Sequence, residues 1–183
     1  EGITEINPNA FYCCEGLKTV ILPEGLTRIY AGAFKNCFSL EEIKLPESLK
    51  IINASAFSGC KSLTEFYIPA NITLLGENIF EDCFSLKEIT VNENNISYSS
   101  ADGVLFNKEM TSLIVYPSSK TNTSYSVPVS VRDINTFAFS DNAHIETVII
   151  PLYYQNLSSN TFDNCTNLKK IYIPKSTNQI SNK

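Results

Sequence analysis

Residues 33–46 read AFKNCFSLEEIKLP, and residues 56–69 read AFSGCKSLTEFYIP. Phenylalanine, cysteine, leucine, two apolar positions and proline return at the same offsets, 23 residues apart. One reading is a reactive thiol motif used twice. The other is a structural column sampled twice. The first would make the chain an enzyme, the second a surface.

Working outward, Phe11, Phe34, Phe57 and Phe80 keep the same period, as do Cys14, Cys37, Cys60 and Cys83. Leu17, Leu40, Leu63 and Leu86 follow it too, with Val20, Ile43, Phe66 and Ile89, then Leu22, Leu45, Ile68 and Val91. Pro23, Pro46 and Pro69 close the unit, and the frame resumes with Phe139 and Phe162, Ile145 and Leu168, Val148 and Ile171, Pro151 and Pro174. Self-similarity of this kind marks a stacked array whose single units cannot bury their apolar faces alone. The segment L-x-x-[IV]-x-[LI] alternates inward and outward over its last residues, as a half-buried strand does. Proline after it cannot donate to a ladder and ends the strand. The crossing L-x-x-I-x-x-x-AF has a three-to-four spacing that suits a helical turn or a tight irregular path. Seven strand segments are predicted, near residues 19–22, 42–45, 65–68, 88–91, 124–127, 147–150 and 170–173. At about 4.8 Å per step, seven coils span on the order of 30 Å.

Phe139 follows Phe80 by 59 residues, so the coil between them is enlarged by 13. Tyr125, Val127 and Pro128 fill its strand and proline positions, followed by Val131, Ile134 and Ala138. The surplus falls around SSADGVLFNKEMTSLIVYP at residues 99–117. Asp102-Gly103 marks a turn, and GVLF and SLIVY flank a polar NKEM, which is a hairpin pattern. The expected organisation is one array over residues 1–183, about seven coils with the enlarged one near 92–128. The sequence starts and stops inside a unit without a polar capping repeat, which leads us to expect a piece of a longer array.

These residues carry a resemblance. L-x-x-L-x-L followed by Asn or Cys is the leucine-rich-repeat signature, and the 23-residue variant with LP after the strand and AF before the cysteine resembles the BspA-like subclass. The inserted DGVLFNKEMTSLIVYP is also similar to a segment that recurs there. The resemblance implies a repeat solenoid, a right-handed β/α horseshoe-type coil stack. It would carry parallel strands on one face, short helical or irregular turns on the other and one inserted β-hairpin. It further implies an extracellular or cell-surface location on a bacterium or protist, and adhesion to host matrix proteins or other cells. Function does not follow from fold, so the residues must be weighed separately.

The apolar share of 43% excludes a disordered chain. Charged residues are only 18%, the net charge is −5, and the longest basic run is Lys169-Lys170, so no phosphate-binding stripe exists and nucleic acid is not an expected partner. No apolar run approaches the ~20 residues that span a bilayer, and the opening EGITEINPNAF has none of the signal-peptide pattern. Six positions fit the glycosylation sequon: Asn53, Asn71, Asn95, Asn122, Asn156 and Asn164. A chain rich in Asn, Ser and Thr forms such triplets by chance.

Five of the six cysteines share one column, with Asn142 in that slot of the sixth coil. Parallel side chains one coil apart hold their Cβ atoms wider than the ~3.8 Å of a disulfide. Buried free thiols are therefore expected, and in leucine-rich repeats Cys and Asn alternate here because both bond a turn's backbone while buried. Cys13 differs, since its counterparts are Asn36, Gly59, Asp82, Asp141 and Asn164, all turn formers. It is expected to lie nearer solvent than Cys14 and to react before the other five. One histidine and no C-x-x-C leave no metal site to expect. No phosphate loop or nucleophile elbow is present, so neither cofactor nor catalysis is expected. His144 reads as an exposed loop residue.

What remains is surface. The outward strand positions are Thr19 and Ile21, Glu42 and Lys44, Glu65 and Tyr67, Glu88 and Thr90, Ser124 and Ser126, Thr147 and Ile149, Lys170 and Tyr172. All but the two serines form the candidate protein-binding face, and Phe106 and Met110 of the hairpin form a second candidate contact. A protein partner is the leading expectation. A structural spacer, holding another domain away from the cell, is the alternative.

Overall fold

The computed structural model describes residues 2–152, 154, 156–158, 160–175 and 179–180. Its first eight strands are β1 (Glu5–Ile6), β2 (Thr19–Ile21), β3 (Arg28–Ile29), β4 (Glu42–Lys44), β5 (Ile51–Ile52), β6 (Glu65–Ile68), β7 (Leu74–Leu75) and β8 (Glu88–Val91). The insert supplies β9 (Tyr98–Ala101), β10 (Val104–Asn107) and β11 (Ser112–Val115). Six more follow: β12 (Ser124–Ser126), β13 (Asp133–Ile134), β14 (Thr147–Ile149), β15 (Asn156–Leu157), β16 (Lys170–Tyr172) and β17 (Gln179–Ile180). All seven predicted strand segments are present as β2, β4, β6, β8, β12, β14 and β16. Six of them stop before a proline or an apolar-proline pair, and β8 stops before Asn92.

Register is one period per coil. Thr19 pairs with Glu42, Glu65 with Glu88, and Ser124 with Thr147 and then Lys170, all in parallel. Of the two paths expected for the crossing segment, a helical turn or a tight irregular path, the second is found, and the described residues contain no helix. Its isoleucines form a second parallel row instead, β1-β3-β5-β7, with Ile6, Ile29 and Ile52 buried. β-branched side chains favour a pleated surface over a helix, and a strand pairs with the next coil, whereas a helical turn would bond only itself. After that row the chain makes a tight double turn. Alternate amides bond across coils, Phe11 to the Ala33 carbonyl, Phe34 to Ala56 and Phe57 to Ile79, while those between them bond three residues back.

Two left-handed residues, four apart, build every such turn: Asn9 and Cys13, Gly32 and Asn36, Ser55 and Gly59, Asn78 and Asp82, Phe137 and Asp141, Asn160 and Asn164. This explains the run of turn formers opposite Cys13. Between the left-handed pairs the Phe rings stack, Phe11 on Phe34 at 5.1 Å and Phe34 on Phe57 at 5.4 Å, with their planes nearly parallel. Each such pair contributes about 0.5–1.5 kcal/mol beyond its buried area.

The insert divides the stack. β10 pairs antiparallel with both β9 and β11, and β11 pairs in parallel with β13, so it enters the second row of the following block. Leu105 belongs to the core of residues 6–89, whereas Val104 and Phe106 belong to the core of residues 104–157. β10 is thus buried on both faces, which is why its apolar residues run continuously where the other strands alternate. The hairpin expectation holds for β10 and β11, with β9 as a third strand. Its exposure does not: Phe106 is completely buried, and Met110 is half-buried against the second core.

Candidate functional site

The outward strand positions fall in two groups, one on each side of the insert. Thr19, Ile21, Glu42, Lys44, Glu65, Tyr67, Glu88 and Thr90 are all exposed on the first block. Ile149, Lys170 and Tyr172 are exposed and Thr147 half-exposed on the second. In-register pairing places Ile21 beside Lys44, Glu65 beside Glu88, Tyr67 beside Thr90 and Ile149 beside Tyr172. Ile21 is 96% exposed, and Tyr67, Ile149 and Tyr172 are each more than 40% exposed. The Tyr67 hydroxyl accepts a 2.7 Å bond from the Asn92 amide, which fixes the ring on the surface. Phe106 and Met110 join neither group.

The thiol column is structural. Cys37, Cys60 and Cys83 are buried, and each thiol donates to the Phe carbonyl of the preceding coil, Phe11, Phe34 and Phe57, at 3.1–3.3 Å. Cys165 does the same to Phe139 at 2.9 Å. Burial raises all four thiols, Cys37 and Cys165 to about 11, Cys60 to about 12 and Cys83 well above its ordinary value. Cys14 departs from expectation: it is exposed like Cys13, because the described coil has no neighbour over that face. Asn142 fills the same column by another route, donating to the Pro117 and Lys120 carbonyls and accepting from the His144 and Ile145 amides. His144 is exposed, as expected. Among the sequons, Asn71, Asn122 and Asn164 are exposed, Asn53 is half-buried, and the Asn156 side chain lies outside the described residues. Asn95 is fully buried with its amide donating to the Pro69 and Ile72 carbonyls, so no glycan can reach it in the folded chain.

A feature missed at the sequence level lies beside the insert. In ordinary coils five residues separate the second-row isoleucine from the column Phe, as from Ile29 to Phe34. In the enlarged coil Leu113 aligns with Ile134, yet Tyr116, which stacks on Phe139 at 4.8 Å, comes only three residues later. That shortened turn leaves a cleft of about 410 Å³ between the turn at residues 76–81 and the turn at residues 134–140. One signal was available: Phe137 stands where other coils carry Asn9, Gly32, Ser55, Asn78 and Asn160.

The chain resembles solved structures over most of its length. The pneumococcal vaccine antigen PcpA is 30% identical with a TM-score of 0.85, over 88% of this chain and 40% of that one. A leucine-rich cell surface protein from Faecalibacterium prausnitzii A2-165 is 34% identical with a TM-score of 0.79, over 94% of this chain and 52% of that one. A leucine-rich-repeat protein of T. pallidum is 26% identical with a TM-score of 0.52, over 97% and 64%. The chain therefore spans about two fifths to two thirds of these relatives. No curated protein matches it. The BspA-type leucine-rich-repeat region matches in six copies over residues 1–102 and 115–183, leaving out only the heart of the insert. Solenoid, period and family match agree: the chain belongs to the BspA-type leucine-rich-repeat family.

Proposed function

We propose that this chain is a non-catalytic, extracellular interaction module that binds a host or cell-surface protein through the outward face of its first-row strands. The observation that carries this reading is the exposure of Ile21, Tyr67, Ile149 and Tyr172 among charged neighbours on that face. Apolar area rimmed by charge is the usual composition of a partner surface. Similarity to a vaccine antigen and to a cell surface protein supports the location. Adhesion is the corresponding role.

The test is binding of the purified chain to immobilised matrix proteins and to cells, compared with two variants. One carries Ile21→Ser with Tyr67→Ser, the other Ile149→Ser with Tyr172→Ser. Loss of binding in either variant, with the melting temperature unchanged, supports the reading. Binding that neither variant weakens would remove the strand face from it, and binding to nothing would favour the spacer.

A further inference from the structure

We propose that the cleft beside the insert is a second binding site, for an extended peptide segment with basic ends supplied by a protein partner. It goes beyond the strand-face reading and does not depend on it. The argument starts from the backbone. Throughout the first block, three amides of each turn bond the carbonyls of the next coil: Gly32, Phe34 and Asn36 to Ala54, Ala56 and Ser58, then Ser55, Phe57 and Gly59 to Glu77, Ile79 and Glu81. The next three in the series are the amides of Asn78, Phe80 and Asp82. None of them has a partner among the described residues. Across the cleft the matching acceptors are the carbonyls of Thr136, Ala138 and Ser140. Among the described residues only Ala138 is used, by the Tyr116 amide at 2.7 Å.

One wall therefore presents a row of free donors and the other presents free acceptors, with the shortened turn between them. Phe80 is buried and Ser140 half-buried, whereas Asn78, Asp82 and Thr136 are exposed to water, and a row of unpaired amides at every second residue is the template that peptide segments use when they add to a sheet edge. Here a peptide would supply the ladder that the missing turn residues do not. Its carbonyls would face Asn78, Phe80 and Asp82, and its amides would face Thr136 and Ser140.

Two further observations point to a ligand. Phe137 holds φ 62°, a left-handed conformation that is strained for a bulky L-residue and that other coils give mostly to Asn or Gly. That strain keeps a half-buried ring on the cleft wall, where an apolar side chain of the guest can pack. Tyr116, also on the wall, has a buried hydroxyl with no partner among the described residues. Charge selects the guest: Glu77, Glu81 and Asp133 line the cleft, and among the described residues no Lys, Arg or His does. Complementary charge at the peptide ends sets orientation and on-rate.

The probe is an array of synthetic hexapeptides with lysine at both ends and randomised interior positions, alongside the same array ended by glutamate. We expect hits confined to the lysine-ended set. The best hit should shift the amide NMR signals of Asn78, Phe80 and Asp82. A copy with a central amide replaced by an ester should bind roughly tenfold more weakly, since one donor is lost. Glu77→Gln with Glu81→Gln should weaken binding severalfold, whereas Ile21→Ser with Tyr67→Ser should leave it unchanged, so the two sites stand or fall separately. The proposal is overturned if no peptide binds at millimolar concentration, if hits leave those three amides unmoved, or if the ester copy binds equally well. Self-association that protects the same amides would assign the cleft to a second copy of the chain and would equally overturn it.

Discussion

At the scale of the residue, the cysteine column separates burial from reactivity. Cys37, Cys60 and Cys83 have no access to solvent and donate to carbonyls, so iodoacetamide at neutral pH should label Cys13 and Cys14, spare those three, and reach Cys165 slowly. Mass spectrometry of the alkylated protein checks this, and equal labelling of all six would contradict the packing. Burial that raises a thiol favours the protonated form in the folded state. Between the ordinary thiol value near 9 and the folded values of about 11–12, the folded chain holds more protons than the unfolded chain. Stability is complete below about pH 9 and falls as pH rises through that window, which a series of denaturation midpoints from pH 8 to 11 will show. Burial of the column was legible from its period alone. The exposure of Cys14 was not, because a period states which face a residue shares and not whether a neighbour covers it. The opposite column was legible in the same way: Asn36, Gly59, Asp82, Asp141 and Asn164 advertised a left-handed position, and Cys13 at φ 57° occupies it against its own preference.

At the scale of the element, one asparagine marks where the regular coil gives way. Asn95 continues the column of Leu26, Leu49 and Ile72, and a pattern-based reading would replace it with leucine for a gain in stability. The structure predicts the opposite sign. Asn95 donates to two carbonyls and accepts from the Ser97 and Tyr98 amides, which turn the chain into β9. Asn95→Leu leaves two buried carbonyls and two half-buried amides without these partners, at a cost of about 3 kcal/mol, measurable by urea denaturation. The double-sided burial of β10 gives a second test. Leu105→Ala should cost about 2–5 kcal/mol and Phe106→Ala about 3–5 kcal/mol. Faster amide exchange should appear first in residues 6–89 for Leu105→Ala and first in residues 127–157 for Phe106→Ala, because each side chain belongs to a different core. Both variants loosening the same block would refute the division. The sequence displayed the hairpin but hid its burial, since an apolar run of four reads alike on a surface edge and between two cores.

At the scale of the molecule, stability is a sum over neighbouring coils. Deleting residues 47–69 removes one whole period and joins equivalent positions, so the shortened chain should still unfold cooperatively by circular dichroism, at a lower midpoint. Removing three residues fewer shifts every side chain out of its column and should abolish that transition. The stacked architecture and its seven first-row strands could be read directly from the repeat. The cleft left only Phe137 at a turn position as a trace, because it arises from a two-residue shortfall in one coil that the alignment of Leu113 with Ile134 exposes. Constant register also bears on how such a gene lengthens. Copying the DNA for one period, begun at any phase, adds a coil whose every ladder bond finds its match, so either block can grow or shrink by recombination at little cost to folding. The double-faced strand has no such freedom, since a second copy of it would need two more cores to seal. Lineages that vary in coil number should therefore carry the insert, and the gap beside it, as a single fixed landmark in an array of drifting length.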